Sequence, residues 1–155
     1  MKLKKVLFMI LNMILCFTMV TPTRANSFTN AVNNLSLTIE YKHENQAMEG
    51  VLFKLYKVAD MTSNLEFSYT EPFKKYTNKI KLDNLDSSGW KDTAETLAAY
   101  VQYETFFPLE MEETNKDGIV EFGKNEPLSM GIYLIVGQKH SINGRTYSIM
   151  PSLVC

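Results

Sequence analysis

At 155 residues the chain is long enough for one folded domain plus a processing segment, and a composition of 45% hydrophobic and 21% charged residues argues against disorder. The formal charge of −1 becomes about −5 once Lys2, Lys4, Lys5 and Arg24 are set aside with the first 25 residues, leaving twelve basic against seventeen acidic positions; nothing here is built to hold a polyanion, and nucleic acid is not an expected partner. Cys16 and Cys155 are the only cysteines, which excludes a disulfide framework, a zinc site and a CxxC redox pair.

Residues 1–25 read as a secretory signal peptide. Lys2, Lys4 and Lys5 form a basic opening, Val6 to Val20 is an apolar run interrupted by Asn12 and Thr18, and Thr21 to Ala25 is a polar exit ending on a small residue. The alternative is an uncleaved anchor, against which the run is short of the roughly 20 residues a span needs. Cys16 does not read as a lipidation site, because Leu15 stands where a small residue is needed. The Lys-rich start and the lack of disulfides fit a Gram-positive exporter, and no membrane span is expected after cleavage. Residues 26–34 are polar and Asn-rich, and read as a flexible mature N-terminus.

Leu35 to Tyr41 alternates cleanly, with Leu35, Leu37, Ile39 and Tyr41 predicted inward and Ser36, Thr38 and Glu40 outward, a strand with one wet face. His43 to Gln46 turns the chain. Glu49 to Ala59 opens on Gly50 and places Val51, Phe53 and Leu55 on one apolar face and Leu52, Lys54 and Tyr56 on a mixed one. Gly131 to Val136 is apolar on both faces and reads as a central strand. Both runs are short, Gly-bounded and β-branched, which favours strand over buried helix.

Between them the period changes. Leu65 to Tyr69 alternates as a short strand before Pro72, and Phe73 and Tyr76 read as apolar anchors of an irregular edge. Over 87–103, Trp90, Ala94, Leu97, Ala98 and Val101 form the stripe of an amphipathic helix, with Ser87 or Ser88 as its cap. Trp90 is expected to pin that helix to a sheet rather than to stack on a ligand. Met111 to Thr114 and Ile119 to Phe122 read as a hairpin turning at Asp117-Gly118, and Asn143-Gly144 marks another turn. Tyr147 to Ile149 and Ser152 to Val154, parted by Pro151, are the last strand pieces. About seven short strands and one helix predict a mainly β fold of the sandwich type, with residues 35–155 as one domain.

Chemistry is sparse. Glu110, Glu112 and Glu113 cluster beside Asn115-x-Asp117-Gly118, but the stretch lacks the opening Asp and the closing Glu of an EF-hand loop, so a solvated turn is the better reading. His43 and His140 have no metal spacing, and no nucleophile elbow or phosphate-cradling loop is present. No catalytic residue, cofactor site or metal site is predicted, and the chain does not read as an enzyme.

Taken together, Leu37-Thr-Ile39, the run Gly50-Val-x-Phe53-x-Leu-Tyr-Lys-Val-Ala59, the helix with Trp90 and Leu97-Ala-Ala-Tyr100, Thr114 to Phe122, Gly131 to Val136 and Tyr147 to Val154 resemble the N-terminal domain of sortase-assembled Gram-positive pilins and adhesins, an immunoglobulin-like antiparallel sandwich of the collagen-adhesin B type (CnaB-like) with one inserted helix. The resemblance covers nearly all of residues 35–154. It implies a secreted, cell-wall-associated structural protein whose partners are other pilin subunits and sortase, or a host surface ligand. It also raises the family's internal isopeptide bond, but here the residues depart. The family's lysine falls near Tyr41, Lys42 is one place on and is expected to face outward, the helper acid falls at Gly137, and Pro151 to Cys155 offers no Asn or Asp. No internal isopeptide is expected, with Lys42 as the only weak candidate. A Tyr-Pro-Lys pilin motif and a Leu-Pro-x-Thr-Gly sorting signal are not found in the sequence, and the domain is expected to be incomplete at its C-terminal end. The other reading is a freestanding secreted module binding a host protein or glycan, with Tyr69, Phe73, Phe106 and Phe107 as candidate contacts; a small hydrolase acting through His43 or His140 is a third.

Overall fold

The computed structural model describes residues 34–142 and 144–155. The leader expected over 1–25, and all but the last residue of segment 26–34, lie outside the described residues. The elements in chain order are β1 (Leu37–Glu40), β2 (Lys42–His43), β3 (Gln46–Ala47), β4 (Leu52–Met61), β5 (Phe67–Tyr69), a 3-10 turn at Lys74–Tyr76, α1 (Ser87–Tyr103), β6 (Glu110–Glu113), β7 (Ile119–Phe122), β8 (Gly131–Gly137), β9 (His140–Ile142), β10 (Arg145–Tyr147) and β11 (Ser152–Val154). The fold is mainly β, with several sheets and one α-helix among the described residues.

The main sheet runs β11-β8-β4-β5, with β6 also paired to β4, and every pairing is antiparallel. The two runs expected at the centre are neighbours there, since Phe53 stands opposite Gly137 and Tyr56 opposite Leu134. A second, two-stranded sheet pairs β1 with β7, Leu37 opposite Phe122 and Ile39 opposite Val120. It covers one face of the main sheet. Val51, Phe53, Leu55, Tyr133 and Ile135 pack there against Val120, Phe122 and Leu128, with Leu37, Ile39 and Tyr41 partly buried around them. The opposite face carries α1: Tyr56, Val58, Ile132 and Leu134 meet Ala94, Leu97 and Val101, with Trp90 and Tyr100 half-buried at the rim. Each fully buried Leu, Val or Phe contributes about 1.5–3 kcal/mol, so two apolar layers flank one sheet.

This three-layer order changes the reading of β4. The face expected to be mixed becomes apolar toward its end because the helix covers it. A bulge helps: the register shifts between Lys57 and Ala59, and Val58 and Ala59 are both buried. Phe73, Tyr76, Ile80 and Leu82, from a segment with little periodicity, fill the same layer.

Other elements also differ from expectation. Eleven strands are present among the described residues instead of about seven. The His43 to Gln46 turn is a miniature hairpin, β2–β3, whose Glu44 and Asn45 both have left-handed φ of 49° and 64°. The cap of α1 is Asp86, not a serine. Its carboxylate accepts from the Gly89 amide at 2.7 Å and from the Ser88 hydroxyl at 3.0 Å, and these bonds hold its pKa below the usual carboxylate value.

Met111–Thr114 and Ile119–Phe122 do not form a ladder with each other. β6 pairs with β4 and β7 with β1, so the Asn115–Gly118 turn carries the chain from one sheet to the other. Thr114 fixes that crossing. Its buried hydroxyl donates to the Met48 carbonyl at 2.5 Å and accepts from the Val51 amide at 2.9 Å, while its own amide donates to the Val51 carbonyl. Gly118, at φ 76°, lies against the Tyr41 carbonyl, where a methyl group would collide with backbone. On this side the two sheets are tied together again, since Glu110 also accepts from the Gly123 amide. On the other side β1 and β11 are edge strands of different sheets.

Candidate protein-contact surfaces

The residues singled out for chemistry are dispersed. Lys42 sits on β2, about half-exposed, and pairs with Glu40. The ring of His43 lies 4.7 Å from that of Tyr147, and Tyr147 stands opposite His140 in the β9–β10 ladder, so the two histidines flank one tyrosine although 97 positions separate them in sequence. Asn115 turns its Oδ1 onto the amides of Asp117 (2.9 Å) and Ile119 (3.0 Å), the geometry of a turn closed on its own backbone. No group of three or more His, Cys, Asp or Glu side chains is arranged to hold a metal among the described residues. No helix among them is long and apolar enough to cross a membrane.

Of the aromatic contact candidates, three belong to the frame. Phe73 is buried and packs edge-on against Phe106 at 5.3 Å. Tyr69 donates its hydroxyl to the Ile80 carbonyl at 2.6 Å; burial and then the Asp83 charge push its pKa up. These placements share one cause, the packing of residues 70–82 against the end of α1.

That end is held by a polar clamp. Glu104 accepts from the Tyr76 hydroxyl at 2.9 Å and pairs with Lys75 at 2.7 Å, while Tyr76 stacks on Tyr100 with centroids 4.1 Å apart. The Lys75 bond, then the Tyr76 bond, holds the Glu104 carboxyl below its ordinary pKa. The Glu104 bond raises Lys75, and desolvation, then Glu104, raises Tyr76. A carboxylate depressed in the folded state gives stability that is present above its unfolded pKa and lost as pH falls through the folded one. Raised Lys and Tyr groups give stability that is lost as pH climbs from the unfolded toward the folded value. Glu104→Gln is therefore expected to flatten both the acid and the alkaline limbs of the melting-temperature profile, measured by circular dichroism across pH; an unchanged profile would show that the clamp does not couple to folding.

Two surfaces stand out among the described residues. The first is an apolar cleft of about 470 Å³ between the edges of the two sheets, walled by Leu35, Leu37, Leu128, Met130, Tyr133 and Val154. Two of its lining residues hold Lys57, whose amine lies 2.5 Å from the Ser129 hydroxyl and 5.9 Å above the Tyr133 ring and is already paired with Asp60. The volume lies within the ordinary range of ligand clefts.

The second surface follows from where α1 lies. The helix packs over β8 and β11, and on the β6 part of the same sheet face Leu109 and Met111 stay about half-exposed among the described residues. Phe107 (92% exposed), Leu109 (52%) and Met111 (53%) follow one another at period two along this margin, and Tyr103 (85%) stands at the adjoining helix end. The Leu109 amide already bonds the Leu55 carbonyl at 2.7 Å, which ties the chain to β4 at the bend just before β6 begins. Only Phe107 had been a candidate. The alternation Phe107-x-Leu109-x-Met111 was present in the sequence but ran through Pro108 and so did not read as one stripe. The sequence matches no family model and none of the curated proteins.

Proposed function

We propose that the chain is a non-enzymatic, secreted cell-surface module of the pilin or adhesin type, built on an immunoglobulin-like sandwich of the CnaB-like kind with one inserted helix. The observation that carries this reading is the pairing of the two runs central to the resemblance. Gly50 to Ala59 and Gly131 to Val136 lie side by side as β4 and β8 in the middle of the main sheet, and β1, from the Leu37-Thr-Ile39 piece, faces them from the second layer. Such a frame works by holding strands together and presenting surfaces to partners, here other subunits and sortase or a host ligand. The signal-like composition of residues 1–25 supports export across a Gram-positive membrane to the cell wall. The exposed stripe at Phe107, Leu109 and Met111 favours the second reading, a secreted binding module, to the extent that partner contact need not mean fibre assembly.

Expression of the full chain in a Gram-positive host, followed by cell fractionation and N-terminal sequencing, tests the reading. The expected product starts at or near Asn26 and is found in the wall or medium fraction. An intact Met1 form retained in the cytoplasm would sink the proposal.

A further inference from the structure

We propose that the free edge of β6 is a strand-addition site for an extended segment of another protein in which Lys or Arg alternates with apolar residues. The edge itself comes first. Among the described residues β6 pairs with β4 alone, and a strand with one unpaired side offers its backbone amides and carbonyls to a further strand.

The pattern of the partner follows from the two faces of β6. Residues opposite one another in an antiparallel pair share a face. Glu110 and Glu112 stand opposite Leu55 and Phe53, whose side chains point to the layer shared with β7, while Met111 stands opposite Lys54 on the face that carries α1. An added strand thus meets acid on one face and the exposed Leu109 and Met111, with Phe107 beyond, on the other. Glu110 is engaged by the Gly123 amide, which leaves Glu112 as the exposed acid of that face, in none of the ion pairs found among the described residues; Glu113, opposite Leu52, lies at the end of the Met111 face. Basic side chains alternating with apolar ones satisfy both faces at once. A second copy of the same edge does not: a two-fold antiparallel pairing that keeps the faces together sets Glu against Glu, which disfavours self-association.

The inference concerns the folded module and does not depend on how it reaches the surface. Its test uses the full chain and two short capped peptides, one alternating lysine with valine and one alternating glutamate with valine. Calorimetry is expected to show the lysine peptide binding at least about tenfold more tightly than the glutamate peptide, with the difference shrinking as salt rises. Amide exchange is expected to slow in residues 109–113 on binding. Glu112→Lys, at an exposed position, is expected to reverse the preference, and Phe107→Ser to weaken both peptides without altering the fold. Equal affinity for the two peptides, no effect of Glu112→Lys in a variant that melts like the parent, a peptide that binds as a helix, or protection that falls outside β6 overturns the proposal.

Discussion

Phe122→Ala is expected to destabilise the protein by about 3–5 kcal/mol, and Phe107→Ala by less than about 0.5 kcal/mol. Both residues are phenylalanines near the ends of β-segments, so composition and propensity do not distinguish them. Burial does. Phe122 is 0% exposed at the end of β7, opposite Leu37, and packs among Val51, Phe53, Leu55 and Leu128. Its removal takes away the transfer free energy of a ring and leaves a cavity between two sheets, which cannot both move inward without breaking their own ladders. Phe107 is almost fully in water and loses nothing on truncation. Urea denaturation of the two variants measures the contrast. Similar small losses for both would mean that the β1–β7 layer is not packed on the main sheet as described.

Thr114→Val is expected to cost about 2–4 kcal/mol although it preserves side-chain shape. The hydroxyl is buried, 3% exposed as a residue, and serves two backbone groups at once, the Met48 carbonyl and the Val51 amide. Valine leaves both short of a partner in a place water does not reach, and each buried orphan costs about 1–3 kcal/mol. Thr114→Ser keeps the hydroxyl and gives up one methyl, about 1 kcal/mol. The serine variant should therefore be clearly the more stable of the two in equilibrium unfolding. The reverse order would show that methyl packing, not hydrogen bonding, holds the crossing between the sheets.

What the sequence revealed depended on periodicity. β4, the first strand and α1 over 87–103 were legible because their apolar residues recur at two or at three to four, and β8 because its short Gly-bounded run is apolar on both faces and lies between two apolar layers. The signal failed where neighbours decided. Tyr56 and Val58 are buried because a helix that begins about 30 positions further along lies over them. Phe73, Tyr76, Ile80 and Leu82 have no common period, yet each reaches the core from irregular backbone. Turn residues at Asn115–Gly118 announced a reversal but not that its arms belong to different sheets; that choice is made by Thr114 and by the pairing of β1 with β7. For the contact surfaces, Phe107 was visible as an aromatic near a Pro, whereas the exposure of Leu109 and Met111 follows from where α1 stops covering the sheet.

The pairing map has a consequence for how the chain acquires its structure. Leu37 waits for Phe122, 85 positions later, and Phe53 for Gly137, 84 positions later, whereas β11 closes on β8 across about 20. Contacts this distant require large loops to be closed before they are rewarded, so folding is expected to be slow relative to a helical protein of the same length. In a chain delivered N-terminus first, β4 therefore meets only the short β5 until β6 follows, and β1 has no described partner until about four-fifths of the chain has emerged. Until β6 follows, among the described residues, only α1 and the local β2–β3 and β4–β5 hairpins are able to form, and the order of synthesis itself keeps the two apolar layers from closing early.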